Sequence, residues 1–201
     1  MYQVRFHGRG GQGVVTAAEL LSVAAFMDGR HAQAFPSFGS ERMGAPVAAF
    51  CRISDKPIRI REPVAAPDAL IVQDASLVRN PDLLAGLDVT KVVLVNTTLA
   101  IHELRAEQLK TRVGLGKIVI LPATEIAMEL IGRNVPNVIM LSAFCAISGL
   151  IAFDTLTKAI ESKFKGKIAQ SNIAAAEKAW WLVQDQRLPA GPSRVTETTH
   201  A

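Results

Sequence analysis

Near the N-terminus, Gly8-Arg9-Gly10-Gly11-Gln12-Gly13 sets four glycines beside an arginine and an amide. Gly8, Gly10 and Gly13 satisfy the spacing GxGxxG. Glycines between a strand and a helix let the backbone approach a ligand closely and leave N–H groups unpaired. Together with the positive end of the helix dipole, those groups favour a phosphate. The loop lacks the lysine and Ser/Thr of a triphosphatase P-loop. A dinucleotide fold would also place an acidic residue about 20 positions on, after a second strand. Asp28 has the separation but precedes that strand, which argues against a nicotinamide ligand.

A second stretch with chemical capacity is Ala34-Phe35-Pro36-Ser37-Phe38-Gly39-Ser40-Glu41-Arg42-Met43-Gly44-Ala45-Pro46. Two prolines, two glycines and two serines exclude regular structure over most of it. An irregular loop at the carboxyl end of a strand is a common place for a binding site. Ser37 and Ser40 can donate to oxyanions, Arg42 can grip a phosphate or carboxylate with two N–H groups, and Glu41 can orient Arg42. The same residues also suit a structural loop with a local ion pair. No carboxylate pair, nucleophile–base couple or metal cluster stands out elsewhere. Glu19, Asp68 and Asp74 read as surface or turn residues, and a lone His7 at a strand end reads as structural. Cys51 and Cys145 form no CxxC and lie in apolar contexts, so both read as reduced core residues.

The elements that must carry these loops follow from periodicity. Val4 and Phe6 alternate with Arg5 as a short strand. After the glycines, Val14, Ala17, Ala18, Leu21, Ala24 and Ala25 recur at helical steps, ending near Asp28-Gly29. His31 to Phe35 reads as a second strand, and Val47, Ala49, Cys51 and Ile53 as a third. A turn at Asp55-Lys56-Pro57 then suggests an antiparallel edge hairpin closed by Ile58 to Arg61. The apolar runs Ala69 to Val72, Val92 to Val95 and Ile118 to Leu121 suit parallel strands covered on both faces. Residues 75–85 and 98–110 connect them. The C-terminal third is helical: about Thr124 to Ile131, a buried helix over Val138 to Ile151, one capped by Asp154, and a last one after Gly166 whose stripe includes Ala169, Ile173, Ala176, Trp180 and Val183.

The expected architecture is an α/β, single Rossmann-like domain over residues 1–187. It has a mostly parallel sheet, an antiparallel edge hairpin and a helical C-terminal third, with a flexible tail over 188–201. The 201 residues suffice for one such core. The net charge of +4 is not arranged for nucleic acid: the dense basic stretch Lys158 to Lys167 reads as a solvated helix face, and aromatics are only 5%. The absence of a membrane-length apolar run or a signal segment gives a cytoplasmic expectation, with no membrane partner.

The two loops together resemble one family. Gly8 to Gly13 with Phe35 to Pro46 is similar to the gamma subunit of 2-oxoacid:acceptor oxidoreductases, such as pyruvate:ferredoxin oxidoreductase. The likeness runs on through Asp55 to Ile58, Pro67-Asp68, Asn96, Pro136-Asn137, Phe164 to Lys167 and Asn172, over about residues 2 to 185. The resemblance implies a subunit of an enzyme that oxidatively decarboxylates a 2-oxoacid, pyruvate or an aromatic acid such as phenylglyoxylate, to its acyl-coenzyme A. It implies thiamine diphosphate, Mg and [4Fe-4S] clusters held by alpha, beta and delta-type partners, with ferredoxin or an NAD-linked flavin subunit as acceptor. For this chain it implies no catalytic residue. It assigns coenzyme A to Gly8, Arg9, Gly10, Gly11, Gln12 and Gly13, and to Ser37, Phe38, Ser40, Glu41 and Arg42. The alternative is a structural scaffold in the same complex, without ligand contact.

Overall fold

The computed structural model describes residues 1–37, 43–87, 90–100, 102–104, 106–114 and 117–185. The tail expected over 188–201 lies outside the described residues. The first strand, β1 (Tyr2–Arg9), runs into the glycine loop and then α1 (Val14–Met27). β2 (His31–Pro36) and β3 (Pro46–Ser54) follow, then β4 (Ala69–Val72), β5 (Val92–Asn96) and β6 (Ile118–Leu121). They form one sheet in the order β2-β3-β1-β4-β5-β6. β1, β4, β5 and β6 are parallel, as their continuous apolar runs require. β3 is antiparallel to both β1 and β2, so within this sheet it is the strand that runs against the others.

The antiparallel edge is therefore present but is built from other strands than the alternation suggested. β3 closes on β2 with Phe35 opposite Phe50, and residues 58–61 are not a strand. Pro57 precedes that segment and Pro63 and Pro67 follow it, and proline has no N–H to give a ladder. Instead, its carbonyls are met by arginines from the sheet. Arg52 Nη2 donates to Glu62 O at 2.6 Å, and Arg5 Nη1 donates to Val64 O and Ala65 O at 3.4 Å each.

The period-2 alternation of β1 and β3 decides where the core lies. Val4, Phe6, Ala49, Cys51 and Ile53 point to one face, which they share with Ala69, Ile71, Leu94 and Leu121. That face packs on α1, α4 (Ala123–Leu130), α5 (Asn137–Ser148), α6 (Phe153–Lys163) and α7 (Gly166–Asp185). α1 lies close because its inner stripe is rich in small residues, Ala17, Ala18, Ala24 and Ala25, all buried. α5 is buried at every position from Asn137 to Cys145, as an all-round apolar helix must be. On the opposite face, Leu70, Val72, Val93 and Val95 meet a smaller cluster. It is covered by a 3₁₀ turn (Ala75–Arg79), α2 (Pro81–Leu84) and α3 (Glu107–Val113).

Two details differ from expectation. Asp154 does not cap α6: the cap position is Ala152, and Asp154 sits in the first turn, where its charge complements the helix dipole without a side-chain cap bond. The segment 98–110 becomes helical only from Glu107. Lys158, Lys163, Lys165 and Lys167 are exposed on α6 and the start of α7, as a solvated face requires.

Candidate functional site

Strand β1 ends at Arg9, and the chain turns through Gly10 to Gly13 before α1 begins. Two of these glycines are required by geometry. Gly13 adopts φ +73°, and a Cβ there would overlap the side chain of buried Asn137 at the start of α5. Gly11 adopts φ +95°, and a Cβ would come within 2.8 Å of Met43 Cε. A side chain at either position carries both backbone strain and collision.

The loop is pinned on one side by the segment entering β3. Gly10 N–H donates to Ala45 O at 2.9 Å, and Gly44 N–H to Gly10 O at 3.1 Å. Within the loop, Gln12 N–H meets Arg9 O at 3.0 Å, while the Gln12 side-chain oxygen accepts from Arg9 N–H at 2.8 Å. The first N–H of α1 to meet a carbonyl is Ala17, on Gly13 O at 3.0 Å. The N–H groups of Val14, Val15 and Thr16 thus precede the helical ladder, at its positive end. Val14 and Val15 also line a depression of about 440 Å³, together with Arg9, Gly10, Gly11, Gly13, Met43 and Val47. The arrangement can hold an anion by backbone donors, with apolar surface beside it for a larger body.

Asp74, two residues beyond β4, gathers the polar side chains of the loop. Its Oδ2 lies 3.2 Å from Arg9 Nε and accepts from Gln12 Nε2 at 3.2 Å; its Oδ1 accepts from Ser76 N–H at 3.0 Å and from Ser76 Oγ at 2.5 Å. Burial pushes the Asp74 carboxyl up, but the Ser76 and Gln12 hydrogen bonds and the Arg9 charge outweigh it and hold the group below the usual carboxylate range. The rest of the Arg9 guanidinium is also engaged, Nη1 on Gly44 O at 3.0 Å and Nη2 on Ser76 Oγ at 2.7 Å.

Of the residues singled out in the sequence, Gly10, Gly11 and Gly13 line this depression, and Gly8 lies in β1 just before it. Arg9 lines it too, though its nitrogens are bound to the protein, and Gln12 braces the loop. Ser37 follows β2, donates its N–H to Ala48 O at 2.8 Å, and lines a second concavity of about 600 Å³ with Arg5, His7 and Phe50, which shares Val47 with the first. Phe38, Ser40, Glu41 and Arg42 lie outside the described residues. Sequence reasoning passed over Asp74 as a turn residue. Its signal was Asp74-Ala75-Ser76 directly after a buried strand, an Asx-type turn aimed at the same sheet edge as the glycines.

Other polar groups near the strand ends are structural. Asn96 Nδ2 donates to Gln73 O and to Thr124 Oγ1, both at 2.8 Å, tying β5 to β4 and α4. Asp28 accepts from Thr155 Oγ1 at 2.8 Å and pairs with Arg30 at 3.6 Å, so it joins α1 to α6. Cys51 and Cys145 are free and buried, and burial pushes both thiols up. Among the described residues no three His, Cys, Asp or Glu side chains converge as a metal group needs. No described helix is long and apolar enough to cross a membrane.

Residues 3–180 match the family described as pyruvate ferredoxin/flavodoxin oxidoreductase. The pyruvate/ketoisovalerate oxidoreductases common subunit gamma of Thermococcus kodakarensis is 45% identical over 180 residues, 90% of this chain and 96% of the relative. The crystal structure of pyruvate oxidoreductase subunit PORC from Thermotoga maritima has a TM-score of 0.75 at 33% identity, covering 90% of this chain and 95% of that one. A likeness in fold alone extends to a 2-oxoglutarate:ferredoxin oxidoreductase from Magnetococcus marinus, solved with 2-oxoglutarate, coenzyme A and succinyl-CoA bound. There the TM-score is 0.72 at 18% identity, over 96% of this chain and 32% of that one. The chain therefore belongs to the pyruvate ferredoxin/flavodoxin oxidoreductase family and, within it, stands with the gamma subunits.

Proposed function

We propose that this chain binds coenzyme A for a multisubunit 2-oxoacid:acceptor oxidoreductase, which converts pyruvate or a related 2-oxoacid to its acyl-coenzyme A. The observation that carries the reading is the glycine depression at the start of α1. It has unpaired backbone donors and a helix dipole for a phosphate, and Val14, Val15, Met43 and Val47 for an apolar body. Coenzyme A carries a pyrophosphate and a 3′-phosphate and so suits such a site. A larger chain that contains this fold over 32% of its length has been solved with coenzyme A bound. Thiamine diphosphate with Mg and the [4Fe-4S] clusters belong, in this reading, to alpha, beta and delta-type partners. Ferredoxin or an NAD-linked flavin subunit takes the electrons. Choice of 2-oxoacid rests with the thiamine-bearing partner. The relative's name, with pyruvate and ketoisovalerate, favours small aliphatic acids over phenylglyoxylate.

The test is Gly11→Val in the intact complex. Strain at φ +95° and collision with Met43 should distort the loop and raise KM for coenzyme A by about tenfold, equivalent to roughly 1.4 kcal/mol of lost binding. KM for the 2-oxoacid should stay as it was. An unchanged coenzyme A KM overturns the proposal. A second reading, a scaffold subunit whose loops touch only partner chains, draws support from Arg9, whose nitrogens are already bound to Asp74, Gly44 and Ser76. It expects Gly11→Val to weaken assembly and leave coenzyme A kinetics alone.

A further inference from the structure

We propose that Asp74 is the positioning residue of the glycine-loop site: it sets the loop and its rim before any anion arrives, without touching the ligand. The inference rests on the coenzyme A reading above and assigns the loop's preorganisation to one carboxylate outside it.

Four donors converge on Asp74, from Arg9, Gln12 and both the N–H and the hydroxyl of Ser76. Two of these groups belong to the glycine loop and lie more than 60 residues away in sequence, so the carboxylate joins the end of β1 to the turn after β4. The pair with Arg9 is partly exposed, with side-chain exposures of 36% and 21%, so simple charge attraction there is screened and weak. The effect of Asp74 is geometric. With Nε held, Arg9 can direct Nη1 onto Gly44 O and Nη2 onto Ser76 Oγ. The bond to Gly44 reinforces the backbone pairing of Gly10 with Gly44 and Ala45, which places Met43 against Gly11 at the mouth of the depression. Through its amide nitrogen, Gln12 is held so that its oxygen stays on Arg9 N–H, which fixes the turn itself.

Without the carboxylate, Arg9 has no anionic partner among the described residues, and Gln12 loses the acceptor that orients it. The backbone donors at the start of α1 remain, but the loop and rim must then be ordered by the ligand, and affinity falls by that ordering cost.

The test is a double-mutant cycle in the assembled enzyme: Asp74→Asn, Arg9→Ala and the double variant, with Gly11→Val alongside. Asp74→Asn keeps the size of the side chain but turns one acceptor oxygen into an NH2 donor, so the donors of Arg9 and Gln12 and those of Ser76 can no longer all be met. The expected result is a five- to tenfold rise in coenzyme A KM for Asp74→Asn, with kcat at saturating coenzyme A within about twofold and the 2-oxoacid KM unchanged, as order-of-magnitude estimates for lost preorganisation. Because Asp74 acts in part through Arg9, the effect in the double variant should fall short of the product of the two single effects. An unchanged coenzyme A KM in Asp74→Asn, or single effects that simply multiply in the double variant, overturns the assignment. A general structural role would instead lower kcat and both KM-derived efficiencies together, which also overturns it. If Gly11→Val weakens coenzyme A while Asp74→Asn does not, the positioning role fails and the coenzyme A reading stands. If neither variant moves coenzyme A, both fail.

Discussion

His7, one residue before the glycine loop, is a titratable group whose behaviour is decided by its surroundings. It is buried with no partner for Nε2, on the same face of β1 as Arg5. Burial and then the Arg5 charge push its pKa down to about 3, from an ordinary value near 6.5. The folded chain therefore keeps the imidazole neutral where the unfolded chain would take a proton. Its contribution to stability is present above about pH 6.5 and is lost as pH falls from there towards 3, by up to a few kcal/mol. Denaturant titrations at pH 7, 5.5 and 4 should show a shallower loss of stability in His7→Gln than in the unaltered chain. An equally steep loss in both means that His7 is not desolvated as described. At this scale the glycines were legible because GxGxxG fell between a strand and a helix. The role of Asp74 was not, because its partners are remote in sequence and no local pattern names them.

At the scale of elements, apolar runs and helical stripes identified nearly every strand and helix, since burial on one face or on two leaves different periodicities. Pairing was less legible. Alternation in Val47 to Ile53 announces a strand but does not say which neighbour it joins. The proline-broken segment after it became a strap, not a hairpin arm. α5 was the plainest element to read, and it forms the floor beneath α1 and β1. Phe144, fully buried there, has its ring 6.3 Å from that of Tyr2 on β1. Phe144→Ala should cost about 3–5 kcal/mol of stability through lost transfer energy and a cavity. Urea unfolding measures it, and a loss well under 1 kcal/mol would mean the α5–β1 packing is wrong.

For the whole molecule, the sheet order puts the glycine loop beside the carboxyl ends of the parallel strands β1 and β4, next to the reversed strand β3. A crevice outside the strand ends is where open α/β sheets bind ligands. The resemblance carried by two loops was enough to identify the family, which the match over residues 3–180 shows. It did not show that Ser37 lies in a different concavity from the glycines. The two concavities meet at Val47 on β3, a neighbour of both loops that no spacing in the linear sequence reveals. The most direct measurement of the central claim is a structure of the assembled oxidoreductase with coenzyme A bound. It should place a phosphate of the coenzyme within hydrogen-bond distance of the backbone N–H groups at the start of α1, with Arg9 still held by Asp74. Coenzyme A bound in full with no atom near that loop would contradict the account.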